Sequence, residues 1–380
     1  MPYYQIELTP LGAYYFGDER SFNSPMNANY YVKSRPYPQQ STLLGALRYD
    51  ILQRHGLLQK TPGKKLDPKA ADLIGERGFS PEGVGNFKLI RKISAVQLKK
   101  DNDIFLQVPM DHKMDRLANK VHEFSYMSLF ESHTSMEMPY FEAEPGKAWI
   151  AKHGTSYGLI KKESGEDEKI LGWEGKEGPL TPSERVGIIK KREDKDDESA
   201  FYRQKRYRMK EGWSFVFCAE IDDEGKKECY SQQPESTFPI GGERVPFHLK
   251  AHRIGGQPTE LQKLSLKPTE DLSRVVLTSD AYVEDVSALL ECVDTAIMDG
   301  PKDFRAIMTK VKQTEQYNNL TARQEANQIH RAGFSGLYQL VPRGSVFYVE
   351  KNNWKSFTDL VHDNNSAWTQ IGYNSFTIIN

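Results

Sequence analysis

Nine consecutive residues, Trp213-Ser214-Phe215-Val216-Phe217-Cys218-Ala219-Glu220-Ile221, carry the strongest strand signal in the chain. Aromatic and β-branched types dominate the run, and such a strand persists only when others pair with it. Candidate partners are spread along the whole sequence. Tyr4, Ile6 and Leu8 alternate with polar residues, the period of a half-buried strand, and Thr9-Pro10-Leu11-Gly12 closes that segment. Ile104 to Pro109, Glu184 to Ile189, Arg274 to Leu277, Ser345 to Val349 and Phe376 to Ile379 read as further strands. Helical patterns lie between them: a first helix with Ser41 as N-cap and Gly56 as its stop, then others near 284–298, 302–313 and 353–362. Strands and helices mixed without a strict βα rhythm predict an α+β fold rather than a doubly wound sheet.

The chain has 380 residues. A prior of ~150 residues per domain suggests two or three domains. From about Thr61 to Pro182 it is broken by Gly and Pro, and within that region the charged stretch 161–178 reads as a loop or hairpin tip. Glu193 to Glu198 is a solvated turn. Cys218, Cys229 and Cys292 stand far apart, which argues against a zinc ribbon or a disulfide framework. The opening Met1-Pro2-Tyr3-Tyr4 lacks a charged-then-apolar leader, and no apolar run approaches the ~20 residues of a membrane span. A soluble cytoplasmic protein is expected. Lys plus Arg total 51 against 52 for Asp plus Glu, so the charge is −1 and any nucleic-acid footprint must be local. A hydrophobic content of 38% and a mean hydropathy of −0.65 are low for a compact enzyme of this size. Long polar loops or large wetted interfaces account for both.

Four segments carry candidate chemistry. On the first helix, stepping 100° per residue from Leu44, Arg48 falls inside the apolar arc. Either the guanidinium is satisfied within the fold, or it holds a phosphate near the helix start with Ser41, Thr42, Lys33 and Arg35. The segment Tyr202-Arg203-Gln204-Lys205-Arg206-Tyr207-Arg208-Met209-Lys210 interleaves five cations with two tyrosines. It suits single-stranded RNA, or an edge strand that uses charge against aggregation. Pro239-Ile240-Gly241-Gly242-Glu243-Arg244 and Val341-Pro342-Arg343-Gly344-Ser345 are turns that each present a cation, and both are open to either a structural or a ligand-binding reading. The search for enzymes is mostly negative: there is no P-loop, no G-x-S-x-G elbow and no H-E-x-x-H. His248 and His252 lack a third ligand, and no metal or cofactor is expected. His55, on the apolar side of the first helix, is a candidate base or a satisfied helix-end histidine.

Taken in order, these segments resemble the RAMP superfamily of CRISPR effector proteins, and within it the third subunit of the Cmr (type III-B) complex, a Cas5-like member. Leu8-Thr9-Pro10-Leu11 with the Phe16 to Phe22 stretch is similar to the family's opening. Tyr37-Pro38-Gln39-Gln40-Ser41-Thr42-Leu43-Leu44-Gly45-Ala46-Leu47-Arg48 is similar to its "P-x-x-S-T-L-x-G-A-L-R" helix. Phe105 to Asp111 is similar to its "P-x-D" strand, Glu184 to Ile188 to "E-R-V-G-I", Gly241 to Arg244 to "G-G-E-x-R" and Val341 to Tyr348 to "V-P-A-G-S-V-Y". Arg343 departs from the small residue usual before Gly-Ser, and the C-terminal glycine loop is reduced to Ile371-Gly372-Tyr373-Asn374-Ser375.

The resemblance implies two ferredoxin-like (RRM-type) folds in tandem, at 1–235 with an insertion of about 61–182 and at 236–380. It implies a non-catalytic subunit that grips the 5′ handle of the CRISPR RNA and joins the large polymerase/cyclase-type subunit to the backbone subunit. A hairpin from 110–182 would act as a thumb against the guide or the guide–target duplex, which makes target RNA a further candidate partner. The expected RNA contacts are Phe16, Arg20, Lys33, Arg35, Gln40, Ser41, Thr42, Arg48, Gly242, Arg244, Arg343 and Gly344. The alternatives are a RAMP endoribonuclease with His55 or another His as base, the Cas5-like subunit of a type III-A complex, and a pure protein–protein adaptor.

Overall fold

In the computed structural model the strand Trp213–Ile221 runs through the middle of a nine-stranded sheet. Tyr3–Pro10 pairs antiparallel on one side of it, and Gln97–Lys100 and Ile90–Ile93 pair on the other. Its residues are buried on both faces, which is why the sequence shows a solid run instead of alternation. The sheet continues through Val245–Ile254 to Glu235–Ile240 at one end. At the other it passes through Asp103–Gln107 and Leu159–Lys161 to Lys169–Leu171. The structure describes residues 1–17, 30–58, 66–75, 78–83, 85–115, 120–123, 148–150, 158–161, 169–188, 201–222, 230–241, 243–256, 258, 271–311, 330–362 and 366–378.

A second sheet of five strands has the order Phe376–Ile378, Leu272–Leu277, Val346–Glu350, Thr295–Met298, Ala148–Ile150. Each sheet has its own apolar core; Val275, Phe347 and Phe357, all 0% exposed, lie at the centre of the second. The fold is mixed α+β and rich in sheet. The hairpin Glu235–Ile240/Val245–Ile254 belongs to the first sheet, where it pairs with Tyr3–Pro10. One expectation is corrected by the pairing. The described part of the expected helix 302–313 is not helical: Lys302–Phe304 pairs with Tyr338–Val341, and Ile307–Val311 pairs with His330–Phe334. Strand pairing overrides a local i, i+3, i+4, i+7 pattern there.

The first helix, α1, spans Gln40–Arg54 and packs Leu43, Leu44, Leu47 and Ile51 into the first core. Ser41 is its second residue and not its cap; the N-cap is Gln39, whose side chain makes no capping bond. The stop at Gly56 is as read from the sequence. With φ +66 it lets its own N–H reach Gln53 O (3.1 Å) and the Leu57 N–H reach Leu52 O (2.8 Å), closing a Schellman turn. The basic segment becomes the strand Phe201–Met209, the middle of a three-stranded sheet between Leu180–Ile188 and Tyr30–Lys33, so it is not an edge. Its neighbour Tyr30–Lys33 pairs in parallel.

The two sheets are tied by Asp111, just past the first sheet. Its carboxylate takes two hydrogen bonds from Arg274 (2.6 and 2.8 Å) and one from the Tyr348 hydroxyl (3.1 Å), both on strands of the second sheet. The adjacent Met110 N–H donates to Gly344 O at 2.8 Å.

Candidate nucleic-acid interface

A cavity of about 210 Å³ opens where the two halves meet. The loop 33–40 between the Tyr30–Lys33 strand and α1, with Gln107, Trp173 and Tyr207, forms one wall. Ser279, Asp280, Lys302, Arg343 and Tyr373 form the other.

Arg343 reaches the cavity because Gly344 behind it adopts φ +88, and a Cβ at Gly344 would stand 3.0 Å from Gln107 Nε2. The Arg343 guanidinium lies 4.1 Å from the centroid of the Tyr37 ring, and Trp173 meets that ring edge-on at 5.5 Å. Arg343 is 6% exposed, and its Nη1 has no hydrogen-bond partner among the described residues. Burial pushes the Tyr37 phenol up to about 12, against the opposing pull of Arg343.

Asp280 organises the remaining charge. Its carboxylate sits 3.3 Å from Lys302 Nζ and 3.7 Å from Arg35 Nη1, and it accepts the Arg343 backbone N–H at 2.9 Å. Burial alone would raise this carboxyl. Lys302, then Arg35 and the Arg343 N–H, overcome that and hold it at about 2. The charged lining is therefore Lys33, Arg35, Lys302 and Arg343 against Asp280, a surplus of three positive charges (4 − 1) in a molecule of net charge −1. The start of α1, with an uncapped Gln39 and no acidic residue in the first turn, opens on the same space.

The expected contacts separate into two groups. Lys33, Arg35, Gln40 and Arg343 line the cavity. Ser41 and Thr42 are partly exposed in the first turn of α1. Beside Ser41 stands Tyr373, whose phenol burial pushes up. The Gln40 amide, however, is fully engaged inside the fold: it donates to Ser94 O (2.9 Å) and Ile371 O (2.7 Å) and accepts from Val96 N–H (3.1 Å).

Four of the expected contacts lie outside the cavity lining. Arg48 is 5% exposed; its guanidinium bonds Ile74 O (3.2 Å) and Gly78 O (2.9 Å) and stacks 5.3 Å from the Phe87 ring centroid. Ile74 ends the short helix α2 (Pro68–Ile74), so this cation serves a carbonyl that the helix leaves unpaired. Phe16 is 5% exposed in an aromatic cluster with Tyr14, Phe215 and Phe247, and meets the cavity wall through its backbone, whose N–H donates to Ser34 Oγ and whose carbonyl accepts the Arg35 N–H. Gly344 commits its N–H to Leu277 O at 2.9 Å. Arg244 is exposed on a turn at φ +52, outside the cavity lining. Arg20 and Gly242 lie outside the described residues, as does much of the 110–182 thumb. His55 caps the C-terminal end of α1, about 22 Å along the helix from the cavity at 1.5 Å per residue.

Sequence reasoning missed Tyr37 as a wall, although it stands inside a quoted motif, and it missed Gln107, Trp173, Asp280 and Lys302. No local pattern marks those four; only the junction of the sheets gathers them.

What the junction offers chemically is an anion site with a flat aromatic wall, the equipment of a protein that handles nucleic acid or nucleotides. The chain belongs to the CRISPR-associated Cas_Cmr3 family, whose model matches residues 6–380. Among solved structures, a chain of a type III-B Cmr-beta complex bound to cognate target RNA is similar at 14% identity and a TM-score of 0.44, covering 98% of this chain and 96% of its own. A chain of a Csm1–Csm4 cassette in complex with pppApA is similar at 12% identity and a TM-score of 0.32, covering 92% and 87%. No curated protein matches the chain.

Proposed function

We propose that this chain is a non-catalytic, RNA-binding scaffold subunit of a type III-B (Cmr) effector, and that it holds the 5′ handle of the CRISPR RNA in the cleft between its two halves. The observation that carries this reading is the convergence of Lys33, Arg35, Lys302 and Arg343 on one cavity beside Tyr37 and Trp173. Phosphates would sit on the cations and one base against the rings, the usual division between positioning and reading contacts. Its protein partners would be the large polymerase/cyclase-type subunit and the backbone subunit, in the cytoplasm. Among the described residues no helix is long and apolar enough to cross a membrane.

Tandem ferredoxin-like halves are part of the proposal, and strand order supports them. In the second sheet Leu272–Leu277, Thr295–Met298, Val346–Glu350 and Phe376–Ile378 run first to fourth in the chain and lie fourth-first-third-second in space, all antiparallel. Helices Val286–Glu291 and Trp354–Val361 occupy the two crossovers. The first sheet repeats the order with Tyr3–Pro10, Gln97–Lys100, Trp213–Ile221 and Val245–Ile254, and α1 lies in its first crossover.

The test is ultraviolet crosslinking of the assembled particle, mapped to residues and nucleotides. Handle nucleotides should join peptides around 33–42 and 343, and Arg35→Ala should weaken handle binding by ~1–3 kcal/mol. Handle crosslinks that fall wholly on other subunits would falsify the reading. The non-catalytic half is tested by incubating the purified chain with repeat RNA. Specific cleavage abolished by His55→Ala would replace the scaffold with an endoribonuclease.

A further inference from the structure

The basic segment 202–210 is not accounted for by the cleft. Along the strand Phe201–Met209 alternation puts Arg203, Lys205 and Tyr207 on one face. The parallel neighbour adds Tyr31, in register with Arg203, and Lys33, in register with Lys205. The antiparallel neighbour adds Glu184 opposite Lys205. Cations and rings then alternate. Arg203 lies 5.9 Å and Lys33 5.8 Å from the Tyr31 centroid, and Lys205 lies 5.4 Å from that of Tyr207.

This ladder begins inside the cleft, because Lys33 and Tyr207 both line the cavity. It ends in solvent at Arg203, whose side chain is 62% exposed. From Tyr207 to Arg203 it spans about 13 Å at ~3.3 Å per residue, several times the ~3.4 Å rise between stacked bases. Its cations are held by two carboxylates: Arg203 pairs with Glu184 (2.5 Å) and Lys205 with Glu174 (2.6 Å). Exposed pairs of this kind are weak, so a stronger anion displaces them readily.

We propose that this sheet face is a second RNA track, continuous with the cleft, for a single-stranded segment leaving it. Phosphates take the places of Glu174 and Glu184 on Lys205 and Arg203, and a base lies against Tyr31. The inference rests on the cleft being an RNA site, and it extends that site outward. Stacking and backbone contacts of this sort tolerate any sequence, so uridine oligomers are a fair probe.

The experiment titrates the full-length chain with two labelled oligouridylates, a short one that fills only the cleft and a longer one that reaches beyond it. Replacing both Arg203→Gln and Lys205→Gln should weaken the longer oligomer about tenfold, the scale of two exposed phosphate contacts, and leave the short one unchanged. Glu184→Gln, which frees Arg203, should tighten the longer oligomer. Glu243→Gln serves as its control, since it makes the same charge change while freeing Arg185 (3.4 Å) on the opposite face of the same sheet. Equal loss on both oligomers, no loss, or equal tightening by Glu184→Gln and Glu243→Gln overturns the track. So does normal RNA affinity combined with loss of a neighbouring subunit from the assembled complex, which assigns the face to protein. If the wild-type chain fails to bind the short oligomer at all, the cleft reading is what has failed. The two glutamate variants keep the question decidable if the double variant does not fold.

Discussion

At Arg48 a guanidinium placed among apolar side chains ends on the carbonyls of Ile74 and Gly78 and on the face of Phe87. Its helical phase was legible in the sequence, but its partners were not, because they come from a turn some thirty residues away. Truncation removes both hydrogen bonds and strands the buried Ile74 carbonyl. Arg48→Ala should therefore lower unfolding free energy in urea by about 3 kcal/mol without changing the RNA affinity of the molecules that remain folded. Asp280 is the reverse case. Nothing local marks it, yet Arg35, Lys302 and Arg343 meet on it from three separate segments. Its carboxyl ordinarily titrates at 3.8 and is held at about 2 in the fold, so its contribution is fully present above pH ~4 and is lost as pH falls toward 2. The shift is worth roughly 2 kcal/mol. Asp280→Asn should remove that part of the acid sensitivity: unfolding free energies of wild type and variant differ at neutral pH and converge by pH ~2.

Two glycines show how α1 is set. Gly45 is exposed in mid-helix with nothing within 4 Å of an added Cβ, so Gly45→Ala should raise thermal stability by about 0.5–1 kcal/mol. Gly372 has φ +89, and its Cβ would fall 2.2 Å from Gln40 Nε2 and 2.5 Å from Ser94 O, so Gly372→Ala should cost more than ~1 kcal/mol in the same melt. The reduced C-terminal loop thus keeps the one glycine that lets the Gln40 amide reach its carbonyls. Strands such as Trp213–Ile221 were legible because burial wrote itself into a continuous run. The stretch 302–311 was not, since Phe304, Ile307, Met308 and Val311 repeat at helical spacing while the chain pairs as strands. Likewise the pattern at 284–298 yields only the helix Val286–Glu291 before the strand Thr295–Met298 begins.

For the whole molecule the decisive contact is the Asp111–Arg274–Tyr348 group between the sheets. The P-x-D motif marked the place by resemblance, but the reason for an aspartate there is visible only in three dimensions. Asp111→Ala removes the carboxylate that accepts both of these Arg274 hydrogen bonds, and calorimetry should show a loss of about 3–5 kcal/mol. The double change Asp111→Leu with Arg274→Met, which removes both charges, should lose much less. The surplus of positive charge is likewise a property of the assembled chain, because a composition of 51 cations against 52 anions hides a cavity where four cations face one carboxylate.

The Gln40 bond to Ile371 spans 331 residues. At ~5–20 residues per second, translation takes roughly 20–60 s to cover that interval. Throughout it a nascent chain carries its first helix without the far anchor, and one wall of the groove has yet to be made. On the handle-binding reading proposed above, a ribosome-bound intermediate is expected to be a poor receptor for a guide, with loading only after synthesis has passed residue 371.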